Sequence, residues 1–546
     1  MNQFDYDWIV VGSGFGGSVS ALRLAEKGHR VAVLEAGYRF AAGDYAESAS
    51  DIRRYYFAPR LGLRGIVRTT LFKDVLIATG AGVGGGSLVY GNALYRAQPG
   101  FLRHPQWAEL ADWETELDPH YRTAEHMLGV TPYDADTPAG LLLREYAESN
   151  GLGDKHTRSN VAVFLGEPGK TAPDPYFAGD GPDRIGCTRC GSCLIGCRYD
   201  AKNTLDKNYL WFAERRGVDI QPERTVIDIR PLGDDPSGAD GYAVTTVRTG
   251  RWFRQERRTV TARGVVLAAG ALGTVRLLLR CKGNGSLPNL SERTGELVRT
   301  NSETVLVVRT PDDGRDFTRG VAVMSDYEPD QDTHIQPATY GAHSDVMSLI
   351  TTPAVTQGNR RTRPLRFVLD ALRNPVRFAR ANRIKGSAAR SIVLTTMQAY
   401  DNAMALRVRF RLPGGYPVLT TEQDPANPIP TYVEAGYRAA NWIAQRTGGV
   451  VKAAVSEAIF SIPSTVHILG GAAIAADPEH GVIDARHRVF GYRNLLVADG
   501  AALPANIGVN PSLTIAALAE RAMSFVDAAP NAVAAQPIRF GTATRS

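Results

Sequence analysis

Apolar residues run almost unbroken from Tyr6 to Val11, and a second such run spans Arg30 to Glu35. Strands buried on both faces read this way, because neither face meets water. Between them, Phe15 to Lys27 has the pattern of a helix, so the amino end predicts a β-α-β unit. Further strands are predicted near 218–230, 241–249 and 264–269, and a last one at 494–498 precedes a helix beginning near Pro511. These scattered pieces predict one nucleotide-binding domain, drawn from residues 1–100, 201–302 and 467–527. Residues 101–200 and 303–466 alternate more weakly and predict a substrate-binding domain built on an antiparallel sheet flanked by helices. Residues 528–546, small, polar and Pro-containing, predict a loose tail.

The length of 546 residues fits two connected domains better than one core. With 44% hydrophobic and 22% charged residues the composition is globular. No run approaches the roughly 20 apolar residues that cross a bilayer, and Met1 to Asp7 has no basic region of the kind that opens a secretion signal. The expectation is a soluble, cytoplasmic protein. A balance of 62 basic to 56 acidic residues gives no support for nucleic-acid binding. One stretch departs from it: Arg360 to Arg390 holds ten basic residues and one acid, Asp370. Leu365, Leu369, Leu372 and Val376 fall there at helical spacing, with Arg366, Arg373, Arg377 and Arg380 left for other faces. The pattern first fits a core-facing stripe under a solvated basic face, with a peripheral membrane contact as the alternative.

Gly12-Ser13-Gly14-Phe15-Gly16-Gly17 joins the first strand to its helix as a G-x-G-x-x-G turn. Glycine permits the tight turn and lets a pyrophosphate approach backbone N–H groups. Glu35 ends the second strand about 20 residues on, where a carboxylate accepts hydrogen bonds from ribose hydroxyls. Together they predict a dinucleotide site in an α/β, Rossmann-type domain, with Gly12, Gly14, Phe15, Gly17 and Glu35 as ligands. Spacing does not decide between FAD and a nicotinamide.

That choice rests on a resemblance. The fingerprint, the block Gly80-Ala81-Gly82-Val83-Gly84-Gly85-Gly86-Ser87-Leu88-Val89, the strand Val265 to Gly270 and the run His467 to Glu520 together resemble the glucose-methanol-choline (GMC) oxidoreductases, and within them the bacterial cholesterol oxidase branch. The resemblance covers nearly the whole chain and implies FAD. It places Gly82, Gly84, Gly85, Ser87, Asn92, Val226, Ala269, Gly270, Asp499, Gly500, Asn510 and Pro511 at the cofactor. It also makes His467, in Ser464-Thr465-Val466-His467-Ile468-Leu469-Gly470-Gly471, the catalytic histidine, with Asn510 orienting the same substrate oxygen. Asn510 suits an N-cap and Pro511 the first helical position, so the helix amino terminus is expected to face the flavin. The implied reaction is oxidation of a secondary alcohol on a sterol-like molecule to a ketone. Two departures stand out. Tyr90 replaces the family's asparagine after the glycine block, with Asn92 two positions on. The glutamate that isomerises the steroid double bond has no counterpart in Leu394-Thr395-Thr396-Met397-Gln398, so no isomerisation is expected.

Four of five cysteines form a C-x₂-C-x₂-C-x₃-C run: Cys187, Cys190, Cys193 and Cys197. This is bacterial ferredoxin spacing. Structural zinc, disulfides and unliganded thiols compete with an iron-sulfur cluster, which is the preferred expectation, with Cys281 a candidate further ligand. Flavin dehydrogenases for glucose and fructose carry a [3Fe-4S] cluster on a C-x₅-C-x₃-C spacing that Cys187, Cys193 and Cys197 resemble. A cluster would pass electrons singly to a partner acceptor, making the protein a dehydrogenase. A cluster-free oxidase, a dehydrogenase of another alcohol or sugar, and a non-enzymatic electron carrier are the other readings.

Overall fold

The computed structural model describes residues 4–253, 255–355, 358–410 and 417–541. The first strand, Tyr6–Val11, lies at the middle of a seven-stranded sheet, parallel to Val31–Leu34 on one side and to Arg258–Leu267 on the other. Val10 is in register with both Val33 and Val266. Asp219–Gln221 and Leu495–Val497 extend the parallel part, and Tyr242–Arg248 and Arg224–Pro231 continue it as an antiparallel meander. Ile9, Val10, Ala32 and Val33 are wholly buried, which explains their continuous apolar runs. Helices Phe15–Glu26, Tyr209–Arg215, Ser512–Ser524 and Trp113–Leu128 pack successively beside the sheet.

The single stretch 218–230 divides into two strands at Glu223, whose φ of 59° turns the chain. Asp219–Gln221 pairs beside Val31–Leu34, whereas Arg224–Pro231 crosses to the far edge of the sheet. Periodicity alone carries no sign of such a break.

The second sheet is antiparallel throughout. Its order in space is Thr351–Pro353, Val450–Ala454, Thr304–Arg309, Ser391–Gln398, Thr333–Ala338, Ser325–Asp330 and His156–Arg158. Helices Glu434–Thr447 and Pro138–Ser149 pack against it around Leu306, Val308, Leu394 and Ile443. Residues 528–541 follow the surface of the first domain. Phe540 stacks on His126, Arg539 pairs with Asp180, and Gly541 N–H donates to Tyr176 O.

The short helix Val455–Phe460 carries a buried carboxylate, Glu457, which accepts from Thr304 Oγ1 and the Tyr437 hydroxyl. Burial raises its pKa from 4.5 to about 7. The folded state therefore holds this proton more tightly than the unfolded chain, so the stability it contributes is full below 4.5 and lost as pH rises through about 7. The Tm is expected to fall across that interval, and Glu457→Gln to flatten this part of the profile. An unchanged slope in the variant, followed by differential scanning calorimetry, would refute the assignment.

Candidate active site

The fingerprint turn is built of close contacts that only glycine tolerates. Gly12 has φ 99°, and a Cβ on Gly16 would lie 1.5 Å from Ala498 O. Gly14 and Gly270 behave differently: a Cβ on either meets nothing within 4 Å. Their bare sides face open space at the start of two helices, Phe15–Glu26 and Ala271–Gly283, neither of which has a side-chain cap. Free N–H groups beside open space suit an anionic, extended ligand.

Glu35 is buried at the end of its strand, accepting from Ser13 N–H, Ser13 Oγ and Gly37 N–H at 3.1, 2.7 and 2.7 Å. A carboxylate has about four acceptor sites, so capacity remains for a ribose hydroxyl. Ser13 Oγ also accepts from Gly84 N–H, which ties the fingerprint to the second glycine block. A Cβ on Gly85 would lie 2.6 Å from Gly14 Cα, so the two glycine segments touch. Ser87 Oγ donates to Gly84 O and accepts from Leu205 N–H, fixing the block's own turn. Phe15 packs edge-on against Tyr90, which stands where the resemblance leads one to expect asparagine. Val226 follows Arg224, whose N–H donates to Glu35 O. Asp499 accepts from Thr274 Oγ1 and Ala501 N–H at the head of the Gly500 turn, and burial pushes its pKa up to about 6. Thr274 Oγ1 also accepts from Ala269 N–H.

His467 lies just beyond the strand Ser464–Thr465, which pairs in parallel with Leu76–Gly80 and so meets the glycine block. Its Nδ1 is 2.5 Å from Glu303 Oε2, and Glu303 Oε1 accepts from Val466 N–H at 2.6 Å. The Glu303 side chain is fully buried, and that of His467 is 13% exposed. Because a carboxylate only accepts, neutral His467 carries its proton on Nδ1 and presents a bare Nε2. Asn510 Nδ2 is 3.4 Å from that Nε2, and Asn510 Oδ1 is buried without a hydrogen-bond partner. The last helix begins at Ser512 with Pro511 at its cap, so Asn510 does not cap it; its amide turns to His467 instead. Asn301 holds this loop in place, accepting from Gly508 N–H and donating to Val509 O. Glu303 was not among the residues expected from sequence. Its only signal there is an acid at the head of the apolar run Thr304–Arg309, where burial demands a partner.

Asn92 is buried, with φ 64°, and its amide lies beside the Cys193 thiol. Gln398 donates to Thr333 Oγ1 within the second sheet. Cys187, Cys190, Cys193 and Cys197 are all free and line one small cavity of about 20 Å³. Cys281 does not join them: it is buried on its helix against Asp228. Among the described residues no three of the cysteine sulfurs lie within 4.8 Å of one another. Burial pushes the thiols of Cys187 and Cys193 up to about 12 and about 11, and pushes Lys202 beside them down to about 8. Lys202 Nζ donates to Cys193 O and Leu88 O, which places the void directly behind the glycine block.

Comparison with known proteins accounts for this arrangement. Residues 7–50 match the FAD binding domain family, and residues 182–294 and 421–519 match GMC oxidoreductase. A cholesterol oxidase of Mycobacterium tuberculosis (strain ATCC 25618 / H37Rv) is 45% identical over 533 residues, covering 95% of this chain and 91% of its own. The chain belongs to the GMC oxidoreductase family. A cholesterol oxidase of Acinetobacter baumannii is 42% identical, covering 97% of this GMC oxidoreductase and 95% of its own length. The crystal structure of pyridoxine 4-oxidase from Mesorbium loti superposes with a TM-score of 0.58 at 15% identity, covering 95% of this chain and 99% of that one, a likeness of fold. As a GMC oxidoreductase the protein is an FAD-dependent alcohol oxidoreductase. The open sides of Gly14 and Gly270, the uncapped helix starts and the spare acceptor capacity of Glu35 fit FAD. Among the described residues no helix is long and apolar enough to cross a membrane.

Proposed function

We propose that this GMC oxidoreductase oxidises the secondary hydroxyl of a hydrophobic, sterol-like alcohol to a ketone. The observation that carries the reading is the convergence of Glu303, His467 and Asn510, with the bare Nε2 facing the Asn510 amide. The cholesterol oxidase relatives support the sterol-like substrate class. The Glu303 carboxylate fixes the imidazole so that Nε2 accepts the substrate's hydroxyl proton. Asn510 Nδ2 donates to the same oxygen and orients it. The carbon gives up its hydrogen as hydride, and the oxygen's remaining electron pair completes the carbonyl. Bound FAD supplies the hydride acceptor. Gln398, a neutral amide tied to Thr333, supplies no base for isomerisation.

A second reading concerns the cysteines. Four free thiols in ferredoxin spacing, around one small cavity close behind the glycine block, favour an iron-sulfur cluster that relays electrons one at a time to an acceptor. One anaerobic preparation tests both readings. Stoichiometric sterols with a secondary hydroxyl should bleach the flavin absorbance, while sugars and primary alcohols should not. Failure of every such sterol would end the sterol proposal. Iron and acid-labile sulfide, with an EPR spectrum, should give about three or four irons per chain for a relay. Iron-free protein with full FAD content would return the cysteines to a packing role and favour oxygen as the direct acceptor.

A further inference from the structure

The stripe of apolar residues in the basic segment does not face the core. Leu365, Val368, Leu369, Leu372 and Val376 are 63, 51, 41, 72 and 61% exposed. The first four lie on helix Arg363–Arg373, and Val376 begins helix Pro375–Ala381. The inward side of the pair is small. Arg363 is buried and donates to Glu457 O, Phe367 packs edge-on against Phe378, and Phe378 and Ala381 are buried. The sequence reading that set the stripe against a core is thus reversed: it is the anchored side that carries Arg363, and the apolar side that meets solvent.

Charge surrounds this stripe with one sign. Arg373, Arg377, Arg380, Arg383 and Lys385 form no ion pair among the described residues. Asp370, the sole acid between Arg360 and Arg390, accepts from Asn374. A second copy of this surface would bring the same cations together across the contact, which Coulomb repulsion opposes. A surface of phosphate headgroups over hydrocarbon satisfies both features at once, pairing the cations with anions and removing the leucines from water. Helix Arg363–Arg373 packs on Val455–Phe460, whose last residue is 50% exposed, and Val466, next to His467, is 53% exposed.

We infer that the helical pair Arg363–Ala381 is a docking surface for an anionic lipid bilayer, on which the protein lies peripherally. The inference stands apart from the sterol proposal, because binding is measured without turnover. FAD-loaded full-length protein is co-sedimented with phosphatidylcholine vesicles with and without phosphatidylglycerol. Binding is expected to require phosphatidylglycerol and to weaken as salt shortens the reach of the charges. Leu369→Asp combined with Leu372→Asp should lower vesicle affinity by roughly tenfold or more, and Arg373→Glu combined with Arg377→Glu by a similar factor. Both variants change exposed side chains and should keep wild-type FAD content and activity on detergent-dispersed substrate. The inference is overturned if wild-type protein ignores the vesicles or binds both kinds equally. It is also overturned if the folded variants bind as wild type does, or if sedimentation velocity shows a dimer that the aspartate variant dissociates.

Discussion

His467→Ala is expected to slow flavin reduction by roughly 10²- to 10⁴-fold, the range typical of a lost acid-base group. FAD content and the flavin spectrum should stay normal, because nothing in the glycine turns depends on the imidazole. The reason for a large effect is that Nε2 is the proposed proton acceptor, and the Glu303 contact at Nδ1 leaves that nitrogen free. Stopped-flow bleaching under anaerobic conditions separates this step from reoxidation. A variant that bleaches at the wild-type rate would remove His467 from the chemistry and leave Asn510 to be tested alone.

Glu303→Gln should lower the rate of the same step by on the order of 10²-fold while leaving KM within a few-fold of wild type. Glu303 is a positioning residue: its carboxylate reaches Nδ1 and Val466 N–H and touches no reacting atom. An amide preserves the shape, yet it can turn its NH₂ toward Nδ1 and shift the imidazole proton to Nε2, the nitrogen that must be empty. The pH profile of flavin reduction should then move, and Glu303→Asp should recover part of the rate. A purely structural role would instead lower FAD content and Tm without displacing that profile.

Much of this was legible in the sequence where chemistry depends on neighbours along the chain. The glycine turn, Glu35 and the strand-helix-strand unit appear in order, since each rests on local backbone geometry. The pair His467 and Asn510 was accessible through resemblance, although the capping pattern at Asn510 and Pro511 pointed its side chain the wrong way. Glu303 lies 164 positions from His467, and no spacing rule joins them. The face of the Leu365 to Val376 stripe was equally hidden, because an amphipathic pattern marks two sides without saying which is inward. The division at Glu223 was invisible for a related reason: two short strands on opposite edges of a sheet read as one.

The three residues of the proposed catalytic group are supplied by distant parts of the chain. Glu303 immediately precedes the strand Thr304–Arg309 of the second sheet, His467 follows the strand Ser464–Thr465, and Asn510 precedes the helix Ser512–Ser524. A newly synthesised protein therefore forms its nucleotide turn from its first residues, but it brings Glu303, His467 and Asn510 together only once Asn510 has been added and seated on Asn301.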